Sequence, residues 1–312
     1  MDTATLGQTN ITVPALGIGA WSWGDRLFWD YGSSYGKAEV RQAFEGAIAA
    51  GATFFDTAEV YGPGTSEELL GEFMKTSDRP VQIATKYGPL PWRFSGSAVS
   101  EALTASLKRL QCDRVTLYQV HWPFTFFMSQ ETLLNTLADE VEKGRIEAIG
   151  VSNYDADGMR QAYDILARRG IPLAVNQVRY SLLSRQIEAE NILATAKELG
   201  ITLLAYSPLS QGLLTDKYRG DKTPQGARKL DRRFRDSGLK DIEPVLSIVR
   251  ELAQKYSKTP AQVSLNWLMC QGNVIPIPGA KNDRQARENA GAMGWRLSAE
   301  EVNRFAELKI KN

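Results

Sequence analysis

The sequence has one histidine and two cysteines in 312 residues, an excess of neither charge, and no hydrophobic run long enough to cross a membrane. Each shortage excludes something. A single histidine, His121, leaves no histidine-rich metal site. Two cysteines, Cys112 and Cys270, cannot make a disulfide framework, which points to a reducing compartment. Both lie in apolar helical patterns and are expected as buried thiols. Lys and Arg total 37 against 36 Asp and Glu, so the net charge is +1. That balance gives no footprint for nucleic acid or an anionic membrane. The local basic run Arg228–Arg235 reads as a solvated loop. The first residues lack a basic leader followed by an apolar block, so the expectation is a cytoplasmic chain with no obligate protein partner. With 43% hydrophobic and 23% charged residues the composition is globular.

What is present is an alternation. Short β-branched runs begin at Leu16, Thr53, Val81, Val115, Glu147, Leu173, Ile201 and Asn273. Amphipathic stretches stand between them, beginning near Lys37, Ser66, Ser100, Gln130, Asp155, Glu190 and Asp283. Gly144, Gly170 and Gly200 fall where helix C-termini want glycine. From the second strand to the seventh, starts lie 26 to 34 residues apart, the length of one βαβ unit. Eight such units predict an α/β fold, a (β/α)8 TIM barrel spanning residues 1–312 as one domain. A doubly wound open sheet is the alternative, but no strand leads into a G-x-G-x-x-G turn. Three segments fall outside the minimal barrel: an N-terminal hairpin from Thr3 to Ala15, an insertion from Leu209 to Asp241, and a C-terminal extra helix from Leu297. The last carries Ser298 and Glu301 as a capping box.

In such barrels chemistry collects at the C-terminal strand ends. Here those ends carry Asp56 with Tyr61 just beyond, Lys86, His121, Ser152–Asn153, Asn176–Gln177, Tyr206–Ser207–Pro208 and Gly279–Ala280–Lys281. Any one of these has a bland explanation as a cap, a solvated strand end or loop packing. A ring of them at successive strands does not. A buried lysine needs a carboxylate, and Asp56 is on the neighbouring strand. An ammonium beside a tyrosine hydroxyl favours the phenolate, and so predicts a lowered Tyr61 pKa suited to proton donation. A histidine at the mouth can orient a carbonyl oxygen. The set lacks only an electron source.

DTAEVYG at Asp56, ATKYG at Ala84, LYQVHWP at Leu117 and GVSNY at Gly150 resemble the aldo-keto reductase family. So do NQVRYSLL at Asn176, YSPLSQGLL at Tyr206 and IPGAKNDRQARENAGAMGW at Ile277. IPIPGAKN and LNWL are similar to the cyanobacterial and plastid branch. The resemblance implies a catalytic tetrad of Asp56, Tyr61, Lys86 and His121, with Tyr61 as proton donor, and NADPH across the barrel mouth. It assigns Ser152, Asn153 and Gln177 to the nicotinamide carboxamide and Tyr206 to its ring. Ser207, Leu209, Ser210, Gly212 and Lys217 fall to the pyrophosphate, and Pro208 among them is also given to the cofactor. Gly279 lies in the last βα turn, where Lys281 and Gln285 would meet the 2′-phosphate and Glu288 and Asn289 the adenine. A cation beside a helix N-terminus suits an anion, so Lys281 favours NADPH over NADH. Arg228 is a candidate for the pyrophosphate.

The early loops are rich in aromatics, and mouth loops set specificity. Trp21, Trp92 and Trp122 are the expected pocket walls, for flat or aromatic aldehydes and dicarbonyls, and Arg93 is a candidate contact for an anionic substrate. The implied activity is NADPH-dependent reduction of small-molecule carbonyls. Two other activities stay open: an NADPH-binding regulatory subunit like the potassium-channel β subunits, and a Schiff-base aldolase using Lys86.

Overall fold

The computed structural model describes residues 2–218, 232–306 and 308. Two short strands, β1 (Thr3–Thr5) and β2 (Thr12–Pro14), pair antiparallel with Ala4 opposite Val13, as the N-terminal pattern predicts. Among the described residues the rest of the strand structure is one parallel sheet of eight. It runs in chain order: β3 (Ile18–Gly19), β4 (Phe54–Asp56), β5 (Gln82–Tyr87), β6 (Val115–Val120), β7 (Ile146–Ser152), β8 (Leu173–Arg179), β9 (Thr202–Tyr206) and β10 (Val274–Pro276). The amides of Gly17 and Gly19 donate to the carbonyls of Pro276 and Pro278, both at 3.0 Å, and curl β3 onto the β10 side to close the barrel. A Cβ at Gly19 would stand 2.9 Å from the Ile277 carbonyl oxygen, so the closure requires glycine.

The strands are apolar on both faces because helices cover one and the lumen takes the other. Every residue of β6 is buried. Phe54, Ala84, Leu117, Ala148, Val175, Leu204 and Ile275 fill the lumen, and Leu6 and Val13 of the hairpin plug it from below. The larger core lies between strands and helices, with Phe44, Phe55, Phe73, Leu103, Leu134 and Leu166 among its members.

Helices follow the strands at Lys37–Ala49, Thr65–Met74, Gly96–Leu110, Gln130–Glu142, Ala156–Ala167 and Ile192–Glu198, and at Asp283–Ala290 after β10. Gly144, Gly170 and Gly200 have φ of 73°, 68° and 66° just past helix ends. Four details differ from the sequence reading. The third helix starts at Gly96, four residues early. The segment read as insertion up to Asp241 already contains a helix, Asp236–Tyr256, whose pattern is interrupted by Gly238 and Pro244. The C-terminal helix keeps its Ser298–Glu301 capping box but is only Ala299–Asn303. Cys112 and Cys270 are free but half-buried, just past helix ends rather than within helices. Arg228 lies outside the described residues. No described helix is long and apolar enough to cross a membrane.

Candidate active site

Asp56 ends β4 and Lys86 lies near the end of β5, one strand over. The Lys86 ammonium is fully buried and donates to Asp56 Oδ1 at 2.5 Å, to the Thr57 carbonyl at 2.8 Å and to the Tyr61 hydroxyl at 3.3 Å. Three donors meet three acceptors, so the charge is satisfied without water. Tyr61 sits in the irregular stretch after β4, its amide bonded to the Ala58 carbonyl. His121 follows β6 directly, its amide donating to the Tyr87 carbonyl at 2.9 Å. Its ring meets Tyr61 edge-on, with centroids 5.7 Å apart, and stacks on Trp122 at 3.8 Å. The four residues expected as a tetrad are thus brought together.

Asp56 is supported from behind. Its Oδ2 accepts from Gln177 Nε2 at 2.7 Å and from Gln119 Nε2 at 3.1 Å. Gln119 was missed in the sequence, although it is the one amide in the run VTLYQV and pairs in register with Lys86. A polar side chain in an otherwise apolar strand was the available signal.

Burial alone would push the Lys86 pKa down, but the Asp56 carboxylate and the Tyr61 hydroxyl outweigh it and raise it, so the amine stays charged. For Tyr61 the balance goes the other way. Burial raises its pKa, Lys86 lowers it, Asp56 raises it again, and the net shift is upward. This corrects the expected lowering: desolvation is the largest influence, and Asp56 opposes the field of the ammonium. Tyr61 is therefore a protonated phenol at neutral pH. Burial, and next the charge of Lys86, lower the His121 pKa to about 2, so the imidazole is neutral. Its Nδ1 is buried with no hydrogen-bond partner among the described residues.

Asp56, Tyr61 and His121 line a cavity of about 870 Å³. Ser152, Asn153, Gln177, Tyr206, Ser207, Pro208, Leu209, Gly212, Lys217, Gly279, Lys281, Gln285, Glu288 and Asn289 all line it, together with Trp21 and Trp122. Ser210 does not; it is buried and bonded to Ser181 Oγ at 2.9 Å. Trp92, expected as a wall, is 67% exposed and outside the lining. Arg93, expected to meet an anionic substrate, is paired with Glu59 instead. Ser22, Trp29, Gln211, Ile277 and Arg284 line the cavity without having been singled out. Asn153 Nδ2 donates to the His121 carbonyl and its Oδ1 accepts from the Tyr206 hydroxyl at 3.0 Å. This ties the ends of β6, β7 and β9 together.

Lys217, Lys281 and Arg284 bring cationic side chains to the lining, Arg284 paired with Glu288 at 3.2 Å, and Lys281 and Arg284 stand at the N-terminus of the helix Asp283–Ala290, a position that suits an anion. Ser207, Ser210, Gln211 and Gly212 have φ of 50°, 47°, 56° and 100°, and this tight turn is closed by the amides of Ser210 and Gly212 donating to the carbonyls of Ser207 and Leu209, both at 2.9 Å. The Lys281 ammonium donates to the Trp29 carbonyl at 3.0 Å and lies 4.1 Å from the Tyr35 ring centre. The Gln285 side chain accepts from the Lys281 amide.

A closed barrel whose cavity is lined by a carboxylate, a tyrosine and a histidine, with a buried lysine bonded to the first two, defines a cofactor-dependent oxidoreductase type of site. The chain belongs to the aldo/keto reductase family, whose model matches residues 15–310. It is 41% identical over 303 residues to a chloroplastic pyridoxal reductase of Arabidopsis thaliana, covering 93% of this chain and 82% of that one. Among solved structures it resembles a glycerol dehydrogenase from Gluconobacter oxydans (27% identity, TM-score 0.85, covering 98% of this chain and 94% of that one). It also resembles an aldo/keto reductase from Klebsiella pneumoniae in complex with NADP and acetate (27% identity, TM-score 0.76, the same coverages).

Proposed function

We propose that the protein reduces aldehydes and ketones, preferentially flat aromatic ones, with NADPH as the reductant. The observation that carries this reading is the buried Lys86 ammonium, bonded at once to the Asp56 carboxylate and the Tyr61 hydroxyl. When bound, NADPH would provide the hydride that the carbonyl carbon receives. Tyr61 donates its phenolic proton to the carbonyl oxygen, and Lys86 stabilises the phenolate left behind. Asp56, held by Gln119 and Gln177, keeps Lys86 charged and placed. His121 is neutral, and its buried Nδ1 has no acceptor to donate to among the described residues, so the proton belongs on Nε2. From there the ring can donate to the substrate oxygen and orient it. Trp21 and Trp122 supply flat walls, and the Arabidopsis thaliana relative named for pyridoxal, a flat heteroaromatic aldehyde, supports that class. Ser152, Asn153, Gln177 and Tyr206 would hold the nicotinamide, and Lys217, Lys281, Arg284 and Gln285 the phosphates; that all eight line the cavity supports this reading.

The test is NADPH consumption with pyridoxal and para-nitrobenzaldehyde, wild type beside Tyr61→Phe. Loss of the proton donor is expected to slow turnover by roughly 10²–10⁴-fold with cofactor affinity unchanged. A variant as fast as wild type would remove Tyr61 from the reaction. Tight NADPH binding without turnover of any carbonyl would instead favour a regulatory subunit.

A further inference from the structure

Arg93 and Glu59 have no place in the chemistry above, yet they form the most closely knit ion pair beside it. Arg93 Nη1 and Nη2 bond the two Glu59 carboxylate oxygens at 2.5 and 2.9 Å. Arg93 Nη1 also donates to the Gly88 carbonyl at 2.8 Å, and the Gly88 amide donates to Glu59 Oε1 at 2.6 Å. The guanidinium lies 4.9 Å from the Tyr87 ring centre. The side chains are only 16% and 8% exposed, so the pair is shielded from solvent and salt.

Its position in the chain matters more than its strength. Glu59 is two residues before Tyr61, and Gly88 is two residues after Lys86. Tyr87, between Lys86 and Gly88, accepts the His121 amide. The pair therefore ties the stretch carrying Tyr61 to the strand end that carries Lys86 and anchors His121. Lys86 and Asp56 are fixed by strands, but Tyr61 is not in a strand or helix. Its bond to Lys86, at 3.3 Å, is also the longest of the three the ammonium makes. That distance depends most on where the stretch after β4 is held.

We propose that Glu59 and Arg93 are positioning residues for the reaction, a bidentate clamp that sets the Tyr61 hydroxyl against Lys86 and His121. The proposal rests on Tyr61 being the proton donor. Tyr61 faces Lys86 and Asp56 from β4 and β5, His121 from the end of β6 and Tyr206 from β9. Of these only the Lys86 charge favours its phenolate, so a longer Lys86–Tyr61 distance leaves the phenol harder to ionise and slower to give up its proton.

The test uses Glu59→Gln, Arg93→Met, their double variant and Arg93→Lys in the full chain. In each single variant kcat for para-nitrobenzaldehyde is expected to fall at least tenfold, with KM for NADPH within about twofold. The alkaline limb of the kcat profile, where Tyr61 loses its proton, is expected to move to higher pH. The double variant should be no slower than the worse single one, since the two act as a unit. Arg93→Lys keeps the charge but loses the fork, and should fall between. Amide exchange across residues 57–64 should quicken in all four. Folded variants with lower thermal stability but an unmoved alkaline limb would make the pair structural only and overturn the proposal. So would unchanged exchange in that stretch. A wild type that reduces no carbonyl would overturn the reductase reading instead, and the exchange measurement would still decide whether the clamp exists.

Discussion

His121 shows how far a single residue can be read. Its position at a strand end was legible in the run VTLYQVHWP, and so was its place in a ring of polar groups. Its charge state was not, because that depends on burial and on Lys86, 35 residues earlier in the chain. The same holds for Tyr61, whose pKa rises where the lysine next to it was expected to lower it. A sequence shows which charges will be neighbours but not how much water they lose. The His121 shift has a consequence for stability. An unfolded histidine titrates near 6.5, whereas in the fold the value is about 2. Between those values the unfolded chain binds a proton that the folded chain does not. His121 therefore costs no stability above about pH 6.5 and weakens the fold as pH falls below it, by at most about 1.4 kcal/mol per pH unit. In denaturant unfolding, wild type is expected to lose up to about 2 kcal/mol more than His121→Gln between pH 6.5 and 5. Equal losses would mean that the imidazole reaches solvent or finds a proton acceptor.

At the scale of elements, the strands were the most legible feature. Runs such as VTLYQV and LAVNQV are apolar on both faces, and only a covered parallel sheet needs that. Helix ends were legible where glycine or a capping box marks them. They were lost where Gly238 and Pro244 interrupt the pattern of the helix Asp236–Tyr256, since both residues read as turn signals. The N-terminal hairpin was visible as a hairpin, but its work as a plug was not, because its contacts lie far along the chain. Gly7 follows the buried Leu6 at φ 55°, and its amide donates to Thr202 Oγ1 at 2.8 Å. A Cβ there would stand 2.6 Å from the Ala174 carbonyl oxygen and 2.7 Å from its Cα, with only backbone to yield. Gly7→Ala thus meets both a left-handed backbone and a clash under the barrel floor. The expected loss is about 3 kcal/mol, combining roughly 1–2 for the backbone with 1–3 for overpacking. Urea unfolding checks it. A loss below about 1 kcal/mol would show that the hairpin shifts away from β8 at little cost.

At the scale of the whole molecule, the ends of seven strands, β3, β4 and β6 to β10, contribute residues to one cavity. Its lining includes the Asp56 carboxylate, which is paired with Lys86, and the neutral phenol of Tyr61, together with Lys217, Lys281 and Arg284. The strand-end members were legible in the sequence, because strand order in a barrel follows chain order; Arg284, in the helix after β10, was not. The loop carrying Trp29 was not, since nothing in the sequence shows that it crosses to Lys281. The Lys281 ammonium is bonded to the Trp29 carbonyl in this structure, so a 2′-phosphate must compete with that bond and with the Tyr35 ring. A phosphate dianion wins such a contest against a neutral carbonyl, because it adds the attraction between opposite full charges to the hydrogen bond. NADPH should therefore stabilise the fold more than NADH at equal concentration. At a hundred times its Kd a ligand adds about 2.7 kcal/mol, and each kcal/mol is worth roughly 2 °C in a chain of this size. NADPH is expected to raise the melting temperature by about 5 °C at that concentration, and NADH by clearly less. Lys281→Ala should bring the two cofactors together by lowering the NADPH shift, and added salt should narrow the gap in wild type. Equal shifts for both cofactors in wild type would mean that Lys281 stays with Trp29 and that the 2′-phosphate is held elsewhere or not at all.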